Sequence, residues 1–404
     1  MMTVSWICCH LGAREHYAAP RVLHRRGQLA ALVTDAWASP GSPWSLVPGM
    51  TGRRLSERYS TELASAEVCD FTASLVAHEA NWRVSGLQGW PLAIARNQWF
   101  QSRAAKKVSE ISVPAGSVVL AHSYAALQIF QAAKAKGLTT VLAQIDPGEA
   151  HSRILREVAE RWPEFGPPLA EPPAEYFAAW REECRLADRI IVNSEWSREL
   201  LTQAQVDSAK LHVIPLPYEA EVGEAAFERC YPPAFTPERP LRALFIGSVA
   251  TFKGVPALLE SLDQLGGLPI ELRMVGPVAA TIPQRFLDDR RVKWIGAVSR
   301  SEVMDYCRDS DVLVFPSHSD GFGMAQVEAQ AWRLPIIASR SCGRVVEDNI
   351  NGLLLPEVSS DAIAAAVRRV FDPMLVARLA GPDRQDRGTL DEFGDALSGL
   401  ISND

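Results

Sequence analysis

Short β-branched and aliphatic runs, each followed by a stretch of helical periodicity, recur along nearly the whole chain, and this alternation restricts the fold more than any other feature. In the first half the runs are Thr3–Cys9, Leu29–Thr34, Ser117–Ala121, Thr139–Gln144, Arg189–Val192 and Leu211–Ile214. In the second half they are Leu241–Ile246, Ile270–Val275, Val292–Ile295, Asp311–Phe315, Ile336–Ala338 and Leu353–Leu355. A strand that is apolar on both faces needs cover on both sides, and a helix crossing over to the next parallel strand supplies it. The intervening segments carry the matching pattern: Val255, Leu258, Leu259, Leu262 and Leu265 recur at helical spacing. The class implied is α/β, built of doubly wound parallel sheets.

The alternation breaks once. From Pro215 to Pro240 (PLPYEAEVGEAAFERCYPPAFTPERP) the chain is rich in proline and has no sustained period, the composition of a linker. The 404 residues are too many for one ordinary domain. A first domain is expected over 1–217, a linker over 218–239 and a second domain over 240–387, with a C-terminal helix over about 388–404 packing back on the first. Two irregular stretches, Ala38–Arg54 and Pro163–Pro173, interrupt the first domain, and loops that long are usually functional or mobile.

Composition removes several classes. An apolar share of 47% with 22% charged residues is that of a globular chain, and no apolar run approaches the roughly 20 residues of a membrane-spanning helix. Seven cysteines, at 8, 9, 69, 184, 230, 307 and 342, are odd in number and contain no CxxC pair, so neither a disulfide framework nor a structural zinc is expected. With no basic leader at the start, a cytoplasmic chain with reduced thiols is the simplest expectation. The net charge of −7 divides unevenly: residues 1–120 hold 12 Lys+Arg and 8 Asp+Glu, a balance of +4, so the remainder carries −11. No dense basic stripe marks a nucleic-acid partner. The modest N-terminal excess suits a phosphorylated acceptor or contact with the inner face of a membrane as well as it suits ordinary surface charge. Trp90, Trp99 and Phe100 interleave with Arg96, Arg103, Lys106 and Lys107 on a predicted helix. Core packing beneath a solvated basic face is favoured there over an interfacial helix.

Ligands of open α/β sheets sit at the carboxyl ends of the strands, and the second domain offers three such ends. After Gly247 come Ser248, then Lys253-Gly254 at a helix start, where a lysine and the helix N-terminus together favour a phosphate. After Asp311–Phe315 comes PSHSDGFGM and a helix carrying Glu328. There Gly321 and Gly323 allow close backbone approach, and Asp320 and Glu328 are acceptor groups suited to sugar hydroxyls. The third end, Ser339–Gly343, with the tight turn Asn351-Gly352 beyond it, is read as supporting wall.

In this order and on these elements, the segment Leu244–Leu355 resembles the donor-binding half of retaining glycosyltransferases of family 4, group 1 type, which have the GT-B fold of two Rossmann-like domains facing a cleft. The resemblance implies that Lys253 binds the donor diphosphate and that the amides of Gly321, Phe322, Gly323 and Met324 hold sugar and phosphate. It also implies that Asp320 contacts sugar hydroxyls, that Glu328 binds the ribose, and that the backbone near Val298 reads the base. Two residues depart from the family pattern: Asp320 stands where glutamate is usual, and Ser248 where an arginine often follows the first glycine. The first domain matches more loosely. Gly12 to Arg14 follow the first strand and are expected to open a helix facing the diphosphate and acceptor, and His122 ends the strand Ser117–Ala121 beside the reacting sugar. Arg14, His16, Tyr124 and Asp146 are the acceptor-side candidates.

The reaction expected is transfer of a sugar from a UDP- or GDP-sugar to an acceptor hydroxyl, with retention, without a cofactor or required metal, in glycoconjugate synthesis. His122, Lys253 and Asp320 would carry the chemistry. Asp309-Ser310-Asp311 fits a metal-binding DxD pattern by chance, since Asp311 opens a buried strand. The histidines at 10, 16, 78, 151 and 318 show no HExxH spacing, and GxSxG, P-loop and GxGxxG elements are absent from the sequence. A nucleotide-sugar epimerase of similar build and a catalytically silent binding protein are the rival readings.

Overall fold

A computed structural model describes residues 4–46, 55, 57–220, 223–224, 226–381 and 388–402. The strands of the first sheet are β1 (Trp6–His10), β2 (Leu29–Thr34), β3 (Val68–Asp70), β4 (Val118–His122), β5 (Thr139–Ala143), β6 (Arg189–Val192) and β7 (Leu211–Val213). They are parallel and ordered β3-β2-β1-β4-β5-β6-β7. The second sheet holds β8 (Leu241–Ile246), β9 (Ile270–Val275), β10 (Val292–Gly296), β11 (Val312–Phe315), β12 (Ile336–Ala338) and β13 (Gly352–Leu354). It too is parallel, in the order β10-β9-β8-β11-β12-β13.

All twelve expected runs lie on strands. β3 is the addition: it is an edge strand of three residues, with Val68 and Cys69 half-buried and Asp70 exposed, and so has no apolar run to read. In each sheet the strand order reverses direction once, between β1 and β4 and between β8 and β11. The crevices at those two points are where such sheets hold ligands.

The segment Pro163–Pro173 departs from its expected role as an irregular part of the first domain. Trp162 and Phe165 are buried, at 5% and 1% exposure, in the core of the second domain with Phe245, Leu258 and Phe286. Phe165 lies 5.8 Å from Phe286, ring to ring, and its carbonyl accepts the Thr281 N–H at 2.9 Å. The helix Glu149–Arg161 leads into this turn, so it is anchored in both domains. Of the other irregular stretch, Ala38–Arg54, residues 47–54 lie outside the described residues.

Nor is the linker loose. Arg229 donates to the carbonyls of Cys307 and Trp332 of the second domain, each at 2.8 Å, while Glu219 pairs with Arg21 of the first. The terminal helix Leu390–Ser402 packs on the helix Ala18–Arg25, where a Cβ on Gly394 would lie 2.4 Å from Val22. Leu397 is fully buried against that surface. The aromatic–basic helix, Gly89–Glu110, buries Trp99 and Phe100 in the first core, and the Arg103 guanidinium covers the Trp99 ring at 5.2 Å. Among the described residues no helix is long and apolar enough to cross a membrane.

Candidate functional site

The three carboxyl-end loops of the second domain are stitched to one another by their backbones. Gly254 adopts φ +73°, and a Cβ there would fall 1.9 Å from the Pro316 carbonyl oxygen, so the β8 turn lies directly on the loop that follows β11. The His318 N–H donates to Phe252 O at 2.8 Å, the Asp320 N–H to Ser341 O at 2.9 Å, and the Gly343 N–H to Phe322 O at 2.9 Å. Gly323, at φ +84°, is the N-cap of the helix Met324–Ala331, which leaves Asp320 outside the capping position. Asp320 pairs instead with Lys253, whose ammonium sits 5.3 Å and 5.8 Å from the ring centroids of Phe252 and Phe315. Both side chains of the pair are about one-fifth exposed (18% and 19%). Glu328 lies one turn into that helix and is half-buried. Ser248 is in the same β8 turn, and Val298, just beyond β10, packs partly buried against the neighbouring core.

On the first domain the helix does not open at Gly12–Arg14; it begins at Ala18. The reason is a run of three non-glycine residues in the left-handed region, Glu15, His16 and Tyr17, at φ 47°, 49° and 60°. Each such residue costs about 1–2 kcal/mol, strain that persists where surrounding contacts fix it. The run brings the Glu15 carboxylate to 3.6 Å from His122 Nε2. Burial opposes the Glu15 charge, but its bond to His122 and the charges of His122, Arg14 and His16 outweigh it and hold the carboxyl below its usual range. His10 stacks edge-on against His122 at 4.5 Å; burial, then the charges of His122 and Arg14, push its pKa well down. Both ring nitrogens of His10, Nδ1 of His122 and Nε of Arg14 are buried without a protein partner among the described residues, and groups left so are candidates for a ligand. His16 is exposed, with the Arg300 charge of the second domain acting on it. Gly12 (φ +94°) donates its N–H to Asp35 at 2.9 Å, and a Cβ there would lie 2.9 Å from the Arg58 guanidinium. Beside it opens a cavity of about 500 Å³ walled by Leu11, Asp35, Leu75, Arg96 and Trp99.

Tyr124 and Asp146, two of the acceptor-side candidates, are bonded to each other in a bracket: the phenol donates to the carboxylate at 2.6 Å, and the Gly148 N–H donates to it at 2.8 Å. Tyr124 itself is left-handed (φ 73°), stacked on Tyr176 at 4.7 Å, and its N–H donates to Glu183 at 2.7 Å. Glu183 also accepts from Ala126 (2.9 Å) and Leu127 (3.1 Å), and so fixes the loop that carries His122. Burial raises its pKa to about 7 against those three hydrogen bonds.

The carboxyl ends of the two sheets meet at Ser319–Gly321. The Ser194 hydroxyl donates to Gly321 O, and a Cβ on Gly321 would lie 2.9 Å from both Asn193 Nδ2 and Ile145 O. His151, third residue of the helix Glu149–Arg161, bonds Ser319 Oγ through Nδ1 at 2.9 Å, and the Trp196 N–H donates to the same oxygen at 3.4 Å. Lys253, Gly254 and Asp320–Met324 thus form one cluster with Ser248 in the same turn, while Gly12, Arg14 and His122 lie at the matching reversal of the other sheet. The DxD-like pair is committed elsewhere: Asp311 takes Arg239 at 2.7 Å through both oxygens, and Asp309 pairs with Arg242 (2.6 Å) and Arg273 (2.8 Å).

Glu15, His151 and Glu183 join the site without a motif that singles them out. His151 carries a usable signal, since it lies five residues beyond Asp146 at the start of the helix after β5. Glu183 sits mid-helix among other acids and carries none. For Glu15 a left-handed non-glycine backbone leaves no mark in the sequence.

Residues 240–372 match the family model of glycosyl transferases, group 1. The match takes in most of the second domain, which is thus similar to the group 1 glycosyltransferases. D-inositol 3-phosphate glycosyltransferase of Xylanimonas cellulosilytica is 25% identical over 365 residues, which cover 83% of this chain and 77% of the relative. Its namesake from Mycolicibacterium smegmatis is 24% identical over 380 residues, covering 87% and 76%. Among solved structures, HepE of Anabaena in complex with UDP and glucose aligns with a TM-score of 0.63 at 14% identity, over 99% of this chain and all of that one. Sucrose-phosphate synthase of Thermosynechococcus elongatus aligns at 0.65 and 15%, over 98% and 95%. The two parallel sheets of this chain are those of the GT-B fold.

Proposed function

We propose that the chain is a retaining, metal-independent hexosyltransferase that moves a sugar from a nucleoside diphosphate donor to an acceptor hydroxyl in glycoconjugate synthesis. One observation carries this reading: the carboxyl ends of the two sheets meet, with Ser194, Asn193 and Ile145 of the first domain against Gly321 of the loop that also holds the Lys253–Asp320 pair. In the transfer the C1–O bond to the diphosphate breaks, charge grows on the departing phosphate, and the acceptor oxygen bonds C1. Its proton leaves to the departing oxygen on the same face, which retains the configuration. Lys253 and the unpaired N–H groups at the start of Met324–Ala331 meet the growing charge where it develops, a preorganised arrangement. Asp320 leaves Lys253 for the sugar hydroxyls when the diphosphate takes the ammonium, and Glu328 serves the ribose. His122, fixed by Glu15 and by the Glu183 bracket, addresses the sugar. HepE was solved with UDP and with UDP-glucose, which supports a uridine donor here. The cavity beside Gly12 suits the acceptor.

Incubation with UDP-, GDP-, ADP- and dTDP-sugars, with and without acceptors and with a chelator, tests the proposal. Slow hydrolysis of one donor, unaffected by chelator and lost in Lys253→Ala and Glu328→Ala variants that melt normally, is expected. Conversion of a donor to its epimer without acceptor, or full activity in either variant, would refute it.

A further inference from the structure

His151 comes from the first domain yet lies among the donor-site groups of the second. Its ring meets Phe252 edge-on at 5.7 Å, next to Lys253, and the charges acting on it are Asp146 of its own domain and Asp320 and Lys253 across the cleft. The hydrogen-bond network fixes its tautomer. Ser319 is fully buried, and its hydroxyl oxygen has two partners among the described residues, Trp196 Nε1 and His151 Nδ1. An indole N–H can only donate. The serine proton has no solvent to reach and one acceptor on offer, so it goes to Nδ1. A neutral His151 must then carry its proton on Nε2, which has no protein partner among the described residues. Both nearby carboxylates are already engaged, Asp146 by Tyr124 and Gly148, Asp320 by Lys253.

We propose that His151 donates its Nε2 hydrogen to the donor diphosphate beside Lys253, completing from the first domain a phosphate site in which position 248 offers no cation. This rests on the nucleotide-sugar reading above. It implies that the leaving group itself holds the two domains together, since Lys253 belongs to one and His151 to the other. No proton is transferred: the imidazole stays neutral, and the hydrogen bond strengthens as the C1–O bond breaks and charge gathers on the phosphate.

Three variants of the full chain separate this from a merely structural latch. His151→Asn keeps a group near Nδ1 for Ser319 but removes the Nε2 donor. His151→Gln restores an amide donor near the Nε2 position. Ser319→Ala keeps Nε2 and frees the tautomer. Binding of UDP and of UMP is measured by calorimetry, with melting temperature as the control on folding. His151→Asn is expected to weaken UDP about ten- to hundredfold, the range for a hydrogen bond to a charged partner, while UMP changes less than about twofold, within the scatter of a site not touched. His151→Gln should recover most of the loss, and Ser319→Ala should fall between. Equal weakening of UDP and UMP, or unchanged UDP affinity in His151→Asn, overturns the proposal. If the parent chain binds neither UDP, GDP nor ADP, the nucleotide-sugar reading itself fails, and the proposal falls with it.

Discussion

Replacing Phe165 by alanine tests whether a turn of the first domain is a working part of the second. Phe165 is 1% exposed, packs on Phe286, and lies in a core with Phe245 and Leu258 from strands and helices beyond residue 240. Truncating a buried phenylalanine costs about 3–5 kcal/mol, from lost transfer energy and from the cavity left behind. The stacked pair accounts for about 0.5–1.5 kcal/mol of that. For domains of this size 1 kcal/mol moves the melting point by about 2–4 °C, so a fall of order 10 °C is expected in calorimetry. The location of the loss matters more than its size. Because Phe165 ties the helix Glu149–Arg161 to the second core, its removal should also split a single transition into two. The exposed Leu169, in the same stretch at 57% exposure, supplies the control, and Leu169→Ala should leave the trace unchanged. A single transition in Phe165→Ala within about 2 °C of the parent, below the shift of 1 kcal/mol, would show that the turn merely rests on the second domain.

Three further outcomes rest on particular residues. Gly254→Ala should lose both stability and donor binding, because a Cβ would overlap the Pro316 carbonyl at 1.9 Å in a left-handed backbone; near-native melting would contradict the stitched-loop geometry. The Glu183 carboxyl, raised to about 7 by burial, binds its proton more tightly folded than unfolded, so its stabilising contribution is present at low pH and is lost as pH rises from about 4.5 through 7. The parent should therefore lose stability across that window relative to Glu183→Gln, by up to about 3 kcal/mol from a shift of this size; parallel melting-temperature profiles would refute it. The aromatic face of Gly89–Glu110 is spent on the core, so flotation with anionic vesicles should recover no protein, and recovery would reinstate an interfacial role.

The parts of the molecule legible in the sequence are those that depend on local pattern. Strands buried on both faces announce themselves by composition, and the loop from Ser319 to Glu328 announces a ligand by its two glycines and two acids at a strand end. The parts that stay hidden depend on chain segments meeting at long range. Pro163-Glu164-Phe165 reads as a turn, and nothing in it says that Phe165 finds its partners at 245, 258 and 286. Tyr124 and Asp146 each read separately from their strand-end positions, and nothing in the sequence says that the phenol of one donates to the carboxylate of the other. His151 lacks any metal-binding spacing, and the spacing that matters is to Ser319, in the other domain.

Two departures from the resembled family pattern, Ser248 for arginine and Asp320 for glutamate, flank the same lysine, one in its turn and one paired with it, and in the proposal above the first domain supplies the compensation. A short carboxylate at 320 pairs with Lys253, whose ammonium lies beside Phe252 and Phe315. In that proposal a neutral N–H from His151, whose ring is held by Ser319, takes the place of the cation absent at 248. With one group standing in for the other, the two positions are interchangeable. Ser248→Arg should then rescue His151→Asn, restoring UDP affinity to within about threefold of the parent, a residual below 1 kcal/mol, while adding less to the parent chain, where the phosphate is already served. In a double-mutant cycle the coupling should exceed about 1 kcal/mol, as expected for residues sharing a partner. Independent effects, with Ser248→Arg changing both backgrounds alike, would mean that the serine is simple variation and that His151 serves some other group than the one the arginine would have met.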